Sequence, residues 1–585
     1  MMLALLLGSL SSHAIERPSW AGFYASRPNG EIDTNKFPYI KGHADRVQWG
    51  EMEPKPGVYE WSKMDAQIRN AAKGGYRYYF VLWTGPHSPE WIYENGVPKV
   101  ACSGSKGKDS FPYYLDPNYI KFFHRFIGKL ADHIASLPEA ERNTFAFIQP
   151  AFGSTGDRQL YKGTPKDPKY KISAQQYLDF CSGATIRFYD AFNRPELKQI
   201  KFLFNVDDES EPGEQVKTKG EGGLGEQLYA NWLRKSYTID LRKQQFTIAV
   251  GYQANGEITQ DIQLRPTFFG LNGKDPEFVR GEFSKFADSG IFKENPIWNY
   301  YWTAISTVDR GLDLWEVDYA TIKTGKYDEG FAFANRYSYY KRPQTSPYAF
   351  IALRDVLDAS DTVRFPEDTY GKAVQSNVER VKKIESEFNK YGAKVGDLDA
   401  ATSLKGAAYL LQAKAMNDVG FGLIARNYGR FITQIDVNKT SVGLWRVGPS
   451  DQPYGRYARA FEHKTGKDAL YFGFHKDFFK QDGNPTGPLT FRVVWYDNTT
   501  GSWGFSYDAG KGNFNSAKTF TGTGTNRWRE ETFTITDAVM NHNGPRGADI
   551  ALVNLDDKDK IFHLIEVQRG AAEALSAASL SSRIK

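Results

Sequence analysis

From Trp20 to about Tyr340, short apolar runs alternate with stretches whose apolar residues recur at helical spacing. The runs 21–26, 46–49, 76–83, 144–150, 201–206, 246–252, 278–283 and 312–317 read as strands. Between them, Met64, Ile68 and Ala71 follow Ser62 at helical intervals, and Gly74-Gly75 stops the run. Asp116-Pro117 supplies an N-cap and a first-turn proline before Tyr119, Phe123, Phe126 and Leu130. Ser173-Ala-Gln-Gln176 has the form of a capping box ahead of Tyr177 and Phe180. Eight strand-plus-helix units predict an α/β fold of the (β/α)8 TIM-barrel kind over residues 15–370. The rival is an open doubly wound sheet, which carries a glycine-rich turn after its first strand. Ala25-Ser26-Arg27-Pro28 is no such turn.

Beyond Tyr370 the pattern changes. Val374, Val378, Val381, Ile384 and Phe388 form a helical stripe, and a helical linker is expected over 371–415. From 416 to 570 short alternating runs such as Phe491–Trp495 and Thr532–Thr536 are separated by turn clusters such as Asp497–Gly501. This predicts an all-β sandwich of jelly-roll type. The small, polar stretch 571–585 is expected to be a flexible tail. At the other end, residues 1–14 read as a secretory signal: Met2–Leu7 is too short to span a bilayer, and Ser12-His13-Ala14 resembles a cleavage site. The expected location is secreted or periplasmic.

Composition narrows the function. The 585 residues carry 74 basic and 69 acidic side chains, a net charge of +5. That excess is too small to argue for nucleic acid, and no later stretch is apolar enough for a membrane helix. Aromatic residues make up 15% of the chain, with 34 Tyr, 40 Phe and 13 Trp. So many rings leave some to stack on flat apolar ligand faces, as sugars present. Cys102 and Cys181 are the only cysteines, so they form one disulfide or two free thiols. No Cys/His cluster has zinc spacing, no EF-hand pattern is present and no cofactor is called for.

In a barrel of this kind, reactive groups project from the carboxyl ends of the strands. Those ends carry Trp49 and Glu53, then Trp83, His87 and Trp91, then Gly153-Ser-Thr-Gly156-Asp157. They continue with Asn205, Asp207, Asp208 and Glu209, then Tyr252, then Glu282, then Trp315-Glu316. Carboxylates and indoles on one rim are what glycosidic hydrolysis requires: two carboxyl groups across the bond and platforms for the rings.

The stretch Trp49…Met52-Glu53-Pro54-x-Pro56-Gly57-x-Tyr59-x-Trp61…Asp65 resembles the second-strand signature of barrel glycoside hydrolases of the large retaining clan. That clan includes β-galactosidases and the agarases acting on marine galactans. The resemblance implies an acid/base after the fourth strand and a nucleophile ending the seventh. The seventh-strand position matches Glu282. The fourth departs from the clan's Asn-Glu, and its Gly153…Gly156-Asp157…Tyr161 is instead similar to the fourth-strand loop of β-amylases. Asp157 takes the acid role by position, one methylene shorter than the usual Glu.

Other readings stand beside these. Asp157 could serve only a tight turn, Glu282 an ion pair, and Glu53 the anchoring of its loop. Asp208 is the reserve catalytic carboxylate. Trp49, Trp83, Trp91, Trp302 and Trp315 divide between packing and sugar platforms, with Glu53, His87, Asn205 and Tyr252 as further substrate-binding candidates. Lys106, Lys108, Lys162, Lys166, Lys169 and Lys171 could hold sulfate or uronate groups. The function this supports is a secreted glycoside hydrolase cleaving a polysaccharide, of a sulfated algal galactan type, by two-carboxylate chemistry. The alternatives are an exo-acting β-galactosidase-like enzyme on oligosaccharides and a non-catalytic glycan-binding protein.

Overall fold

A computed structural model describes residues 17–28, 30–103, 110–153, 160–161, 163–203, 224–225, 228–229, 231–233, 249–253, 278–283, 295–309, 311–388, 419–422, 426–480, 483–510, 512 and 514–570. The expected signal segment and the tail lie outside these residues, as does most of the linker. The described residues divide into two units, one within 19–338 with 419–421, the other within 17–18, 339–388 and 422–570.

The first unit holds eight parallel strands: β1 (Gly22–Ser26), β2 (Ile40–Gln48), β3 (Arg77–Trp83), β4 (Phe145–Ala151), β5 (Lys201–Phe202), β6 (Ala249–Gln253), β7 (Phe278–Phe283) and β8 (Leu314–Asp318). Their spatial order is β5-β4-β3-β2-β1-β8-β7-β6. Sequential strands are neighbours except β5 and β6, which stand at the two ends of the row, and the first pairs with the last from Gly22↔Leu314 to Ser26↔Asp318. A doubly wound sheet reverses its order at an internal switch point, which this row does not do. All eight expected strands are present. β2 starts six residues earlier than its apolar run, because Lys41 and His43 interrupt the pattern.

Strands β1, β3, β4 and β8 are buried on both faces, and successive side chains serve different layers. On one face Tyr24, Ala44, Tyr79, Val81, Phe147, Leu203 and Leu314 form a single cluster. On the other, Phe23 stacks on Phe331 at 4.6 Å, a residue of the helix Asp328–Tyr337. His43 also faces this helix side, edge-on to Tyr78; burial lowers its ring to about 3, so it is neutral.

The helices follow their caps. We call Ser62–Gly74 α1, Pro117–Ser136 α2 and Ala174–Phe192 α3. α1 ends on Gly75 at φ 67°, the left-handed conformation that glycine adopts without cost. Asp116 accepts bonds from the Asn118 and Tyr119 amides at the head of α2, which buries Tyr119, Phe123, Phe126 and Leu130. Ser173 and Gln176 close the capping box of α3 at 3.3 and 3.0 Å. Among the described residues no helix is long and apolar enough to cross a membrane. Cys102 and Cys181 are both buried free thiols.

The second unit is antiparallel. Tyr348–Ala352 and Leu489–Tyr496 both pair with the long strand Ile561–Arg569. A five-stranded sheet runs Ile432–Ile435, Ala469–Phe474, Ile550–Asn554, Ser502–Asp508, Phe514–Thr521. Residues of both sheets enter one buried cluster, including Ile351, Phe491, Trp495 and Ile565 with Leu470, Trp503, Phe505 and Leu552. The expected boundary at residue 370 falls too late: Tyr348–Ala352 lies inside the stretch assigned to the barrel yet pairs with this unit's longest strand. An apolar five-residue run looks the same before either sheet. The linker helix is Val378–Phe388 and leaves out Val374, which is 49% exposed.

Trp445, Trp495, Trp503 and Trp528 are all buried, Trp495 meeting Trp503 at 5.8 Å. They fill the interior and do not line up as exposed platforms. Nearby, the fully buried Arg492 bonds Glu530 at 2.9 Å, the Tyr454 hydroxyl at 2.8 Å and the buried Glu566. Removing one partner of such a pair leaves an uncompensated buried charge. Arg492→Ala should therefore cost about 3–5 kcal/mol, measured as a fall in the denaturant midpoint of this unit.

Candidate active site

The carboxyl ends of the parallel strands bring together groups far apart in sequence. Arg46, near the end of β2, donates to Ser26 Oγ on β1 at 2.9 Å and to Glu316 Oε1 on β8 at 3.2 Å. The Arg46 side chain is 12% exposed and that of Glu316 only 2%. Burial pushes the Glu316 carboxyl up to about 7, although the Arg46 and Arg27 guanidiniums pull it down. A carboxyl so raised keeps part of its protonated form near neutral pH. β1 is followed by Arg27, a non-glycine residue at φ 53°, whose side chain stands 4.0 Å from the Asp318 carboxylate. That conformation costs of order 1 kcal/mol, a strain that concentrates at functional sites.

Strand register places Glu282 in this neighbourhood. Glu282 pairs with Glu316 across β7 and β8, and with Gln253 across β7 and β6. Tyr24 of β1 pairs with Glu316 on its other side. Four strands thus set Gln253, Glu282, Glu316 and Tyr24 at one level. Tyr252 falls one position earlier, beside Gly281. Of Glu282 and Tyr252 only the backbone is described, and Asp157, Asn205 and Asp208 lie outside the described residues.

A second group of side chains ends β3. Trp83 is in register with Gln48 and Ala151, and its ring lies 4.8 Å from that of His87. His87 Nδ1 is 2.8 Å from Gln48 Oε1. The intervening turn is tight: Gly85 adopts φ 55°, and any side chain there would strike the Gly153 carbonyl oxygen. Thr84 ties the same turn to β4 by donating to the Ala151 carbonyl at 2.6 Å. Trp83 and His87 keep part of their surface exposed, as a platform and its polar edge require.

The remaining tryptophans build the fold. Trp49 is fully buried between Trp91, Tyr119, Phe123 and Phe126. Trp91 is 5% exposed and bonds the Glu53 carbonyl at 2.8 Å. Trp302 is 3% exposed on the helix Pro296–Asp309. Trp315 is fully buried, edge-on to Phe23 and Phe331 on the helix side of β8. None of these four rings offers a face to a sugar.

Glu53 is likewise a fixed anchor. Its carboxylate accepts from Trp49 Nε1 at 3.0 Å, from the Gly57 amide at 2.9 Å and from Arg125. The rest of the motif has the same character: Tyr59 stacks on Trp61, Trp61 on His133, and Asp65 pairs with His133 at 2.7 Å. The signature that pointed to this fold works by closing the β2 loop over α1 and α2. Of the lysines, Lys169 is engaged by Asp167 at 3.0 Å, while Lys106, Lys108 and Lys162 lie outside the described residues. Among the described residues no group of three His, Cys, Asp or Glu side chains stands ready for a metal ion.

Arg46 was missed, and Glu316, noted at the eighth strand end, was given no role. The alternation Leu314-x-Glu316-x-Asp318 was the available signal, because it puts both acids on one face and Trp315 with Val317 on the other.

No protein-family model matches this chain, and no curated protein matches it either. Among solved structures it is similar to the catalytic domain of a β-amylase from Paenibacillus polymyxa, at 9% identity, covering 54% of this chain and 97% of that one with a TM-score of 0.36. A β-galactosidase from the psychrophilic Marinomonas ef1 is 9% identical over 51% of this chain and 53% of its own, with a TM-score of 0.30. An endo-1,4-β-xylanase from Caldicellulosiruptor owensensis is 8% identical over 51% and 85%, with a TM-score of 0.29. All three are glycoside hydrolases. Likenesses this distant assign neither family nor substrate.

If Glu53 is an anchor, its loss should act on stability. Glu53→Ala leaves Arg125 and two N–H groups without their acceptor, and should cost about 3–5 kcal/mol. Thermal or denaturant melts check this, and glycan affinity per folded molecule should be unchanged.

Proposed function

We propose that the chain is a glycoside hydrolase built on a (β/α)8 barrel, with a β-sandwich as its second unit. The observation that carries the reading is the register pairing of Glu282 with Glu316, beside Arg46, at the carboxyl ends of the parallel strands. Pairing of the first strand with the last supports a closed ring, whose remaining seam is β5 with β6. The second unit's two sheets sharing one core supports the sandwich.

In this reading Glu282 is the nucleophile and Asp157 the acid/base of a retaining double displacement. The ionised Glu282 carboxylate attacks the anomeric carbon while Asp157 passes its proton to the departing glycosidic oxygen. Water then attacks the glycosyl ester, Asp157 takes a proton from it, and Glu282 is released. Retention needs carboxyls about 5–5.5 Å apart, and about 6.5–9.5 Å would give inversion. Trp83 and His87 would form a sugar subsite at the end of β3, with Asn205 and Tyr252 as further contacts and Asp208 as the reserve carboxylate. The substrate we propose is a polysaccharide of the sulfated galactan type, met outside the cytoplasm if residues 1–14 direct export.

Glu282→Gln keeps the shape and removes the charge, so it should abolish turnover while glycan binding survives. Asp157→Asn should be rescued by azide, giving a glycosyl azide of unchanged configuration. Reducing-sugar release from plant and algal polysaccharides reads both. Binding without release by the unmodified protein would favour a glycan-binding role, and two variants of normal rate would move the search to Asp208.

An anionic substrate has its own signature. Attraction between exposed lysines and sulfate is screened beyond about 10 Å at 0.1 M salt, so turnover should fall as salt rises. Turnover on neutral glycans alone, insensitive to salt, would exclude the sulfated substrate.

A further inference from the structure

Glu316 stands where three other strands converge. Arg46 reaches it from β2, Tyr24 pairs with it from β1, and Glu282 pairs with it from β7. Paired positions on adjacent strands lie about 4.8 Å apart and on the same face of the sheet. An acidic residue in register with the buried Glu316 makes ionisation of both positions costly, so one is favoured to keep a proton. A displacement at the anomeric carbon needs its nucleophile ionised, so the proton must rest on the other group.

We propose that Glu316 is a positioning residue for Glu282: in its protonated form it holds Arg46 in place and leaves the negative charge of the pair on residue 282. This rests on the hydrolase reading of the site. Three observations agree with it. Glu316 is the group hidden from water, its side chain being 2% exposed. Burial raises its carboxyl to about 7 despite two nearby guanidiniums. Arg46 is fixed from two sides, by Ser26 as well as by Glu316, so it cannot swing away when the charge moves.

The charged and titratable groups around Glu316 are Arg46 from β2, Arg27 and Tyr24 from β1, Asp318 on β8 itself and residue 282 on β7. Arg27 is drawn toward Asp318, which leaves Arg46 as the cation bonded to Glu316. When Glu316 ionises, a second negative charge at the paired position 282 becomes more costly, and the ionised nucleophile that the displacement needs is disfavoured. Activity should then be lost on the alkaline side as Glu316 gives up its proton.

The test follows the proton directly. Protein labelled with carbon-13 at the glutamate carboxyls gives a Glu316 resonance, assigned by its absence in Glu316→Gln. In the unmodified protein this resonance should titrate near neutrality. In Glu282→Gln, or in Glu282→Ser should the first not fold, the midpoint should fall by about 1 unit or more, because a neighbouring negative charge is gone. In parallel, Glu316→Gln should move the alkaline limb of the kcat/KM profile upward by about 1 pH unit or more, since glutamine stays neutral. A Glu316 midpoint unchanged by the Glu282 variants overturns the proposal, as does a Glu316→Gln limb lying where the unmodified protein has it. If no glycan is cleaved, the hydrolase reading fails, and the titration still decides the coupling between the two residues.

Discussion

The first unit depends on one pairing, that of β1 with β8. Five residues of each strand run in register, joining positions about 290 apart in sequence. That alignment sets Ser26 beside Asp318 and puts Glu316 within reach of Arg46. Without it, the buried arginine and the buried carboxyl would each lack the partner that makes burial tolerable. The packing agrees: Tyr24 and Leu314 enter one cluster with residues of β2, β3 and β4, while Phe23 and Trp315 meet on the opposite face. Side-chain parity along these two short strands therefore decides which groups join Tyr24 and Glu316 on one face and which meet the helix layer.

Much of this was legible in the sequence. Caps announced α2 and α3, because Asp116 and Ser173 act through bonds to amides two or three residues on. Strands buried on both faces were legible as apolar runs for the same local reason. The domain boundary was not, since Tyr348–Ala352 takes its identity from a partner some two hundred residues later. The platforms were legible only in part. A tryptophan at a strand end looks alike whether it turns inward or outward, and Trp315 turned outward while Trp83 did not. Reading the polar alternation of β8 before its ring would have selected Glu316.

The motif around Glu53 carries a related lesson. Its carboxylate looks chemical in sequence, yet three donors consume it, and the aromatic residues after it stack on one another and on His133. A signature can identify a fold because it is the fold's own fastening. In the proposed reading the reacting groups lie elsewhere, on strand ends that carry less recognisable text.

The second unit has a topological consequence for how the protein is made. Its longest strand, Ile561–Arg569, pairs with segments beginning at Tyr348, Tyr457 and Leu489. While the ribosome is still at work, the first unit can draw on strands that have all emerged by Asp318. The second must wait until residue 569 has left the exit tunnel. Through that interval Tyr348–Ala352 stays apolar and without its central neighbour, for at least ten seconds at about 5–20 residues per second. Nascent chains stalled before residue 561 should be the ones that chaperones hold.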